Sequence, residues 1–326
     1  MGWTFSWRCL LCHWLGVLVA GAALAAHAGT SAAAPAAASP SCPPAVQSEA
    51  PPAPGATAPD RGYLWRISRD GRSSWLFGTL HVGKPSWRRF GPQLSAALRA
   101  SDVLALEIDP ADPTLFGALA DVQPAASLPA PLQARLTSAY ERACVAPQLL
   151  SKLSPVLQAT TLIVLEARWL GMDPLYALEL SLSQQARGQG QPVVSLESVA
   201  GQKAALVPDD PADAVRVLEE SLAQLEDHRG RRVMARLAEA WESGDLQALE
   251  DYERWCECAT TPHDRAFIRK LNDERNPPLA DGIEAQHKQG RRVFAAVGAL
   301  HMTGPQALPM LLQQRGFIVE RIHFKR

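Results

Sequence analysis

A chain of 326 residues with Lys+Arg 32 against Asp+Glu 33 is formally neutral to within one charge. That balance leaves no electrostatic footprint for a nucleic-acid backbone, and a mean hydropathy of −0.08 is too low for a polytopic membrane protein. The averages hide a lopsided chain, because residues 1–60 carry only Arg8, Glu49 and Asp60 as charges.

Residues 1–28 read as a secretory signal. Arg8 is the single charge of a short polar start, Leu10 to Ala26 is mostly apolar, and Ala26-His27-Ala28 has the form of a cleavage site. The apolar run is about 17 residues and contains His13, which favours cleavage over a retained anchor and leaves no stable membrane span afterwards. Periplasmic or secreted placement follows. Residues 29–60 are nearly all Ala, Pro, Ser, Thr and Gly, so they read as a disordered linker with little to bury. The folded unit is then 61–326, ample for one core. Four cysteines remain after cleavage: Cys42, Cys144, Cys256 and Cys258. Export permits disulfides. Cys256 and Cys258 are spaced too closely for an easy mutual bridge, so one of them is expected to join Cys144.

The folded part opens as a hairpin. Tyr63–Ile67 and Ser74–Phe77 are β-prone, and Asp70-Gly71 is a turn signal between them. A helix is expected over about 92–101 and a strand over 103–108. Residues 110–190 read mostly helical, with 156–165 apolar all round and therefore buried. Gly171 ends that helix, and Asp173-Pro174 starts another as N-cap and first-turn proline. A second β zone covers 192–197, helices fill 211–290, and Ser243-Gly244-Asp245 marks a stop and restart. A strand at 292–298, a helix after Pro305 and a strand at 317–322 close the chain. The expected architecture is α/β: a mixed central sheet, flanking helices and a large helical insertion.

Two strand ends carry the same pattern. Gly78-Thr79-Leu80-His81 and Gly298-Ala299-Leu300-His301 each follow an apolar run and lead into a Gly and Pro turn. Each histidine therefore lies just past the carboxyl end of a strand, where open α/β sheets bind ligands. Two further strands end in Leu-Glu, at Glu107 and Glu197. A carboxylate closing an apolar strand is costly unless paired, protonated or bound to a cation. Asp109 adds negative charge beside Glu107. Two imidazoles and two carboxylates at one edge suit a divalent metal ion such as Mn, Co or Zn, with water activated at an open position. Taken singly, a histidine after a strand is an ordinary loop residue and a glutamate there an ordinary ion-pair partner; the repetition is what points to a site. Arg275-Asn276 precedes Pro277-Pro278 at a helix break, where an arginine reads first as an ordinary C-terminal cap and can alternatively bind an anionic group or an oxyanion. Gly78 to Lys84 has phosphate-loop spacing, but Pro85 replaces the hydroxyl residue that would hold magnesium. His228, His263, His287 and His323 sit in charged surroundings and read as surface residues.

These residues in this order resemble the TraB/GumN family and its TIKI relatives. The matching set is Gly78-Thr79-Leu80-His81 with Gly83 and Pro85, Leu196-Glu197 with Gln202, Trp241 with Gly244-Asp245, Arg275-Asn276 with Ala280 and Ile283, Gly298-Ala299-Leu300-His301 with Gly304, and Gly316–Val319. The resemblance covers about 62–326. It implies an α/β domain similar to the erythromycin-esterase and ChaN-like groups, with the two G-x-x-H motifs as active centre. His81 and His301, with Glu107, are then metal ligands; Glu107, Glu197, Arg275 and Asn276 are the catalytic candidates. The family pattern also implies an acidic residue soon after Asp173, where Tyr176 stands.

The expected function is an exported metal-dependent hydrolase acting on a peptide. Its rivals are a non-metal esterase-like hydrolase, with His81 as general base oriented by Glu107, and a non-catalytic protein that binds a peptide or cofactor. A peptide or small-molecule substrate is expected, and no nucleic acid.

Overall fold

Asp70 and Gly71 both adopt left-handed backbone, with φ of 53° and 72°. Two consecutive positive φ values give the tight turn whose twist matches a hairpin, and it joins strands β1 (Tyr63–Arg69) and β2 (Arg72–Thr79). The computed structural model describes residues 42–47, 57–120, 128–259 and 261–324; the predicted signal at 1–28 lies outside them. Beyond the hairpin come β3 (Val103–Leu106), β4 (Val193–Ser195), β5 (Val293–Gly298) and β6 (Ile318–Ile322).

The six strands form one mixed sheet in the order β4-β3-β5-β2-β1-β6. β2, β5, β3 and β4 are mutually parallel, and β1 is antiparallel to both β2 and β6. The carboxyl ends of β4, β3, β5 and β2 therefore meet along one edge, and the end of β6 reaches it too. The apolar runs of β3 and β5 are buried, as parallel strands covered on both faces must be. Large apolar groups from every layer meet in one core, among them Phe77, Phe294, Leu104 and Leu162.

In the helical middle, helix Pro155–Leu165 is capped by Ser154, whose hydroxyl accepts from Leu157 N–H. Its residues are buried almost all round, as its uniform apolarity requires. Asp173-Pro174 behaves differently from expectation. Asp173 does cap, accepting from Leu175 N–H at 2.8 Å, but only a short 3-10 turn Pro174–Tyr176 follows. The backbone of Asp173 is tied to Gly83 by two hydrogen bonds, and Ala177 turns extended before helix Leu178–Gly188 begins. Gly83 has no room for a side chain: a Cβ there would sit 2.2 Å from the Tyr176 carbonyl oxygen. Gly83→Ala is expected to destabilise the fold by about 2–3 kcal/mol, because backbone on both sides must shift. A urea midpoint matching the wild type would contradict this.

The cysteines pair otherwise than expected. Cys42 bonds Cys144 across 102 residues of sequence, and Cys256 bonds Cys258. Glu257 adopts left-handed backbone at φ 56°, which folds the C-x-C segment back on itself until its Cα atoms are 5.1 Å apart. Cys144, itself left-handed at the end of helix Ala130–Ala143, is turned instead toward the Ala/Pro-rich segment. That segment is therefore fastened at Cys42, and again at Asp60, whose carboxylate accepts from Gln93 and Leu94 N–H at the start of helix Pro92–Arg99.

His287 is also corrected. His228 and His323 are surface residues, but His287 is fully buried, edge-on to Phe317 at 4.9 Å between ring centres. Burial and the nearby Arg72 and Arg69 hold its imidazole below the ordinary value, against a weaker opposing pull from Asp70. The folded state therefore binds this proton less readily than the unfolded chain does. Stability should be intact above about pH 6.5 and fall as pH drops from there toward the folded value. Thermal midpoints at pH 7.5 and 5.5 check this: the acid-side drop should shrink in His287→Leu.

Candidate active site

The strand order sets the order of the side chains. Along the edge stand Glu197 after β4, Glu107 after β3, His301 after β5 and His81 after β2. The pairing of β2 with β5 matches Thr79 to Gly298, which puts the two G-x-L-H turns side by side. Past the ends of β3 and β4 the chains stay in register, with Leu196 N–H to Leu106 O at 2.8 Å and Glu197 N–H to Glu107 O at 3.0 Å. Both glutamates are thus carried to the site by the sheet itself.

Glu107 is the hub. Its Oε1 accepts from Gly298 N–H at 2.6 Å and lies 3.8 Å from His301 Nε2. Its Oε2 accepts from Arg275 Nη2 at 2.8 Å and Gln202 Nε2 at 3.1 Å. A methyl group on Gly298 would stand 3.3 Å from Glu107 Oε1, 3.6 Å from His301 Cδ2 and 3.7 Å from His81 Nε2. Three functional groups thus converge over a residue with no side chain. Beside them a cavity of about 20 Å³ is lined by His81, Gly298, Leu237 and Ala238, room for about one water molecule.

Both imidazoles have their far nitrogen assigned. Asn276 Nδ2 donates to the Gln306 carbonyl at 2.8 Å and the His301 carbonyl at 3.3 Å. Its Oδ1 is then the atom facing His301 Nδ1, at 2.5 Å, so that nitrogen carries the proton. On the other ring, Glu179 Oε1 lies 2.9 Å from His81 Nδ1 and also accepts from the Thr79 hydroxyl at 2.5 Å. In each neutral ring the acceptor beside Nδ1 favours the tautomer with the proton there.

Arg275 precedes helix Asn276–Lys288, and Pro277 and Pro278 start that helix without needing donors. Its guanidinium clamps Glu197, with Nε to Oε1 at 2.9 Å and Nη2 to Oε2 at 2.5 Å, and also reaches Glu107. Burial raises the Glu107 carboxyl, but Arg275 and then the two imidazoles outweigh it and hold the group at about 2. Glu197 is raised, chiefly by burial that Arg275 does not fully offset. One guanidinium cannot serve two buried carboxylates equally. His81 is raised, because Glu179 outweighs burial. Counted without the imidazoles, Glu107, Glu179 and Glu197 against Arg275 leave a formal excess of two negative charges in a nearly closed site, which protonation of His81, favoured by Glu179, reduces.

The predicted site residues therefore come together, with new partners for some. Arg275 and Asn276 are occupied by Glu107, Glu197 and His301 rather than open to a carbonyl. Asp109 leaves the site and pairs with Arg187 at 2.5 Å. Lys84, the lysine of the phosphate-loop spacing, binds Glu242 at 2.6 Å. Glu179, not Glu107, stands against His81 Nδ1, and Glu179 was not singled out from sequence. The sequence held one signal for it: a glutamate among Leu178, Leu180 and Leu182, on a helix too apolar to be wholly solvated. It lies three residues beyond Tyr176, close to where the family pattern implied an acid.

Among the described residues, no group of three His, Cys, Asp or Glu is assembled as a ready metal centre. The donor chemistry nevertheless fits a divalent ion. Two imidazoles offer Nε2 while their Nδ1 atoms are bound to acceptors, the usual outer arrangement of metal-ligating histidines, and the carboxylate excess calls for positive charge.

The chain matches the TraB/PrgY/gumN family over residues 63–321. It belongs to that family. Two relatives share 27% identity: the uncharacterized protein YbaP of Shigella flexneri, over 74% of this chain and 88% of the relative, and YbaP of Escherichia coli K12, over 73% and 87%. No solved structure matches.

Proposed function

We propose that this family member is an exported hydrolase that activates water between His81 and His301, assisted by a divalent cation and acting on peptide bonds. The observation that carries the reading is the convergence of both rings on the Glu107–Gly298 corner, with Glu179 Oε1 beside His81 Nδ1 and Asn276 Oδ1 beside His301 Nδ1. His81, His301 and Glu107 Oε1 would hold the ion, which when bound supplies positive charge that acidifies water and polarises a carbonyl. Arg275 keeps Glu107 ionised, the form in which Oε1 would serve as the third ligand. Glu197 and Gln202 hold Arg275 and Glu107 in place. Two disulfides support an oxidising, exported location.

Metal analysis of the purified chain beside His81→Ala and His301→Ala tests the ion, with a casein digest as peptide substrate. Bound Mn, Co or Zn in the wild type, lost in both variants together with cleavage, is expected. Negligible metal in all three would overturn the metal claim. A second reading has its own support, the pairing of Glu179 with His81 beside room for one water. It makes His81 a general base without an ion, and cleavage that survives strong chelation but not His81→Ala would favour it.

A further inference from the structure

A second cavity lies off the candidate site. It is a groove of about 830 Å³ bounded by Met172, Ala235, Ala238, Glu242, Ile322 and Phe324. The topology places it at the catalytic edge of the sheet. β6 is antiparallel to β1, and β1 to β2, so β6 runs with β2, and Ile322 lies level with Phe77, just before the end of β2 that leads to His81. Ala238 borders both this groove and the small cavity beside His81. One helix wall, within Arg229–Ser243, thus separates the large groove from the reacting corner.

We propose that this groove, continued along the outer edge of β6, receives an extended polypeptide that joins the sheet as a further strand. The proposal rests on the hydrolase reading only for what happens next; binding itself does not need it. Three observations fix the chemistry of the ligand. β6 is an edge strand, with no strand beyond it among the described residues, so it has backbone groups facing outward that an extended chain can pair. Its surface mixes apolar and paired charged groups: Ile318 is 66% exposed, Glu320 is matched by Arg66 of β1, and Ile322 and Phe324 continue into the groove. The groove's basic groups are largely matched from within. Lys84 and Arg61 both meet Glu242, at 2.6 and 3.7 Å, and Arg321 donates to the Gly244 carbonyl at 2.7 Å. A phosphorylated or nucleotide ligand would have to compete with those pairs, whereas a peptide backbone with apolar side chains would not.

The test uses a fluorescein-labelled pool of random ten-residue peptides with the full-length chain, wild type and His81→Ala, read by anisotropy. Saturable binding is expected in both. Ala235 is partly exposed and lines the groove but not the His81 cavity. Ala235→Trp should therefore weaken binding at least tenfold, while Ala235→Ser should not. Hydrogen exchange should show slowed amides within 318–322 when the pool is bound. No saturable binding, binding indifferent to Ala235→Trp, or protection that spares β6 would each overturn the proposal. Binding that obeys these rules without any cleavage would keep the groove and remove the hydrolase reading. Cleavage that ignores Ala235→Trp would do the reverse.

Discussion

Arg275→Met is expected to destabilise the chain by about 3–5 kcal/mol, the largest loss among the polar side chains of the site. The substitution keeps an unbranched side chain of similar length but strips the guanidinium from Glu107 and Glu197 together. Both carboxylates are nine-tenths or more buried, so water cannot replace the lost partner without opening the edge of the sheet. The lost hydrogen bond to the Leu271 carbonyl also loosens the entry to helix Asn276–Lys288. Urea denaturation of wild type, Arg275→Met and Arg275→Met with Glu197→Gln measures the effect. The second change removes one stranded charge, so the double variant should recover at least about 1 kcal/mol of the loss, a coupling expected of residues in direct contact. A single variant within about 1 kcal/mol of the wild type would mean that the clamp is open to water and that the charge count drawn for the site is wrong.

How much of this was legible before the fold was known follows from where each residue gets its position. Strand ends are set by local patterns. The apolar runs before Gly78 and Gly298 and the Leu-Glu endings at 107 and 197 are visible in sequence, and parallel pairing then brings all four to one edge. The role of each group was less legible, because it depends on which side chains arrive from elsewhere. Glu179 reaches His81 across 98 residues, and Asn276 reaches His301 from a helix start that local signals described only as a break. No periodicity reports such a meeting. Asp173-Pro174 shows the opposite failure: a sound local cap signal was overruled by the backbone bridge to Gly83, a contact 90 residues away in sequence. The disulfides failed for a related reason. Spacing alone disfavours a C-x-C bridge, and only a left-handed Glu257 makes it reachable. His287 looked solvated by its neighbours in sequence, but it packs beneath Phe317, contributed by the last turn before β6.

The second large effect concerns the rings themselves. His81→Ala should lower cleavage of a peptide substrate by at least about 100-fold, since it removes the imidazole that meets the water cavity. Glu179→Gln should cost about 10–100-fold, the range for a partner that orients a functional histidine, and Glu179→Leu should cost more. The distinction lies in what each change leaves at His81 Nδ1. Glutamine can still present an oxygen there, so the tautomer survives without the charge; leucine presents nothing. Long-range nitrogen–proton NMR of the imidazoles reads this without any substrate. Both His81 and His301 should carry their proton on Nδ1 in the wild type. Glu179→Leu should mix the tautomers of His81 alone, and Asn276→Ala those of His301 alone, because each ring is held by its own partner. A wild-type ring protonated on Nε2 would turn a donor toward Glu107 where a lone pair is required. Neither the metal reading nor the general-base reading survives that result at His81, since each needs Nε2 as an acceptor toward the Gly298 corner.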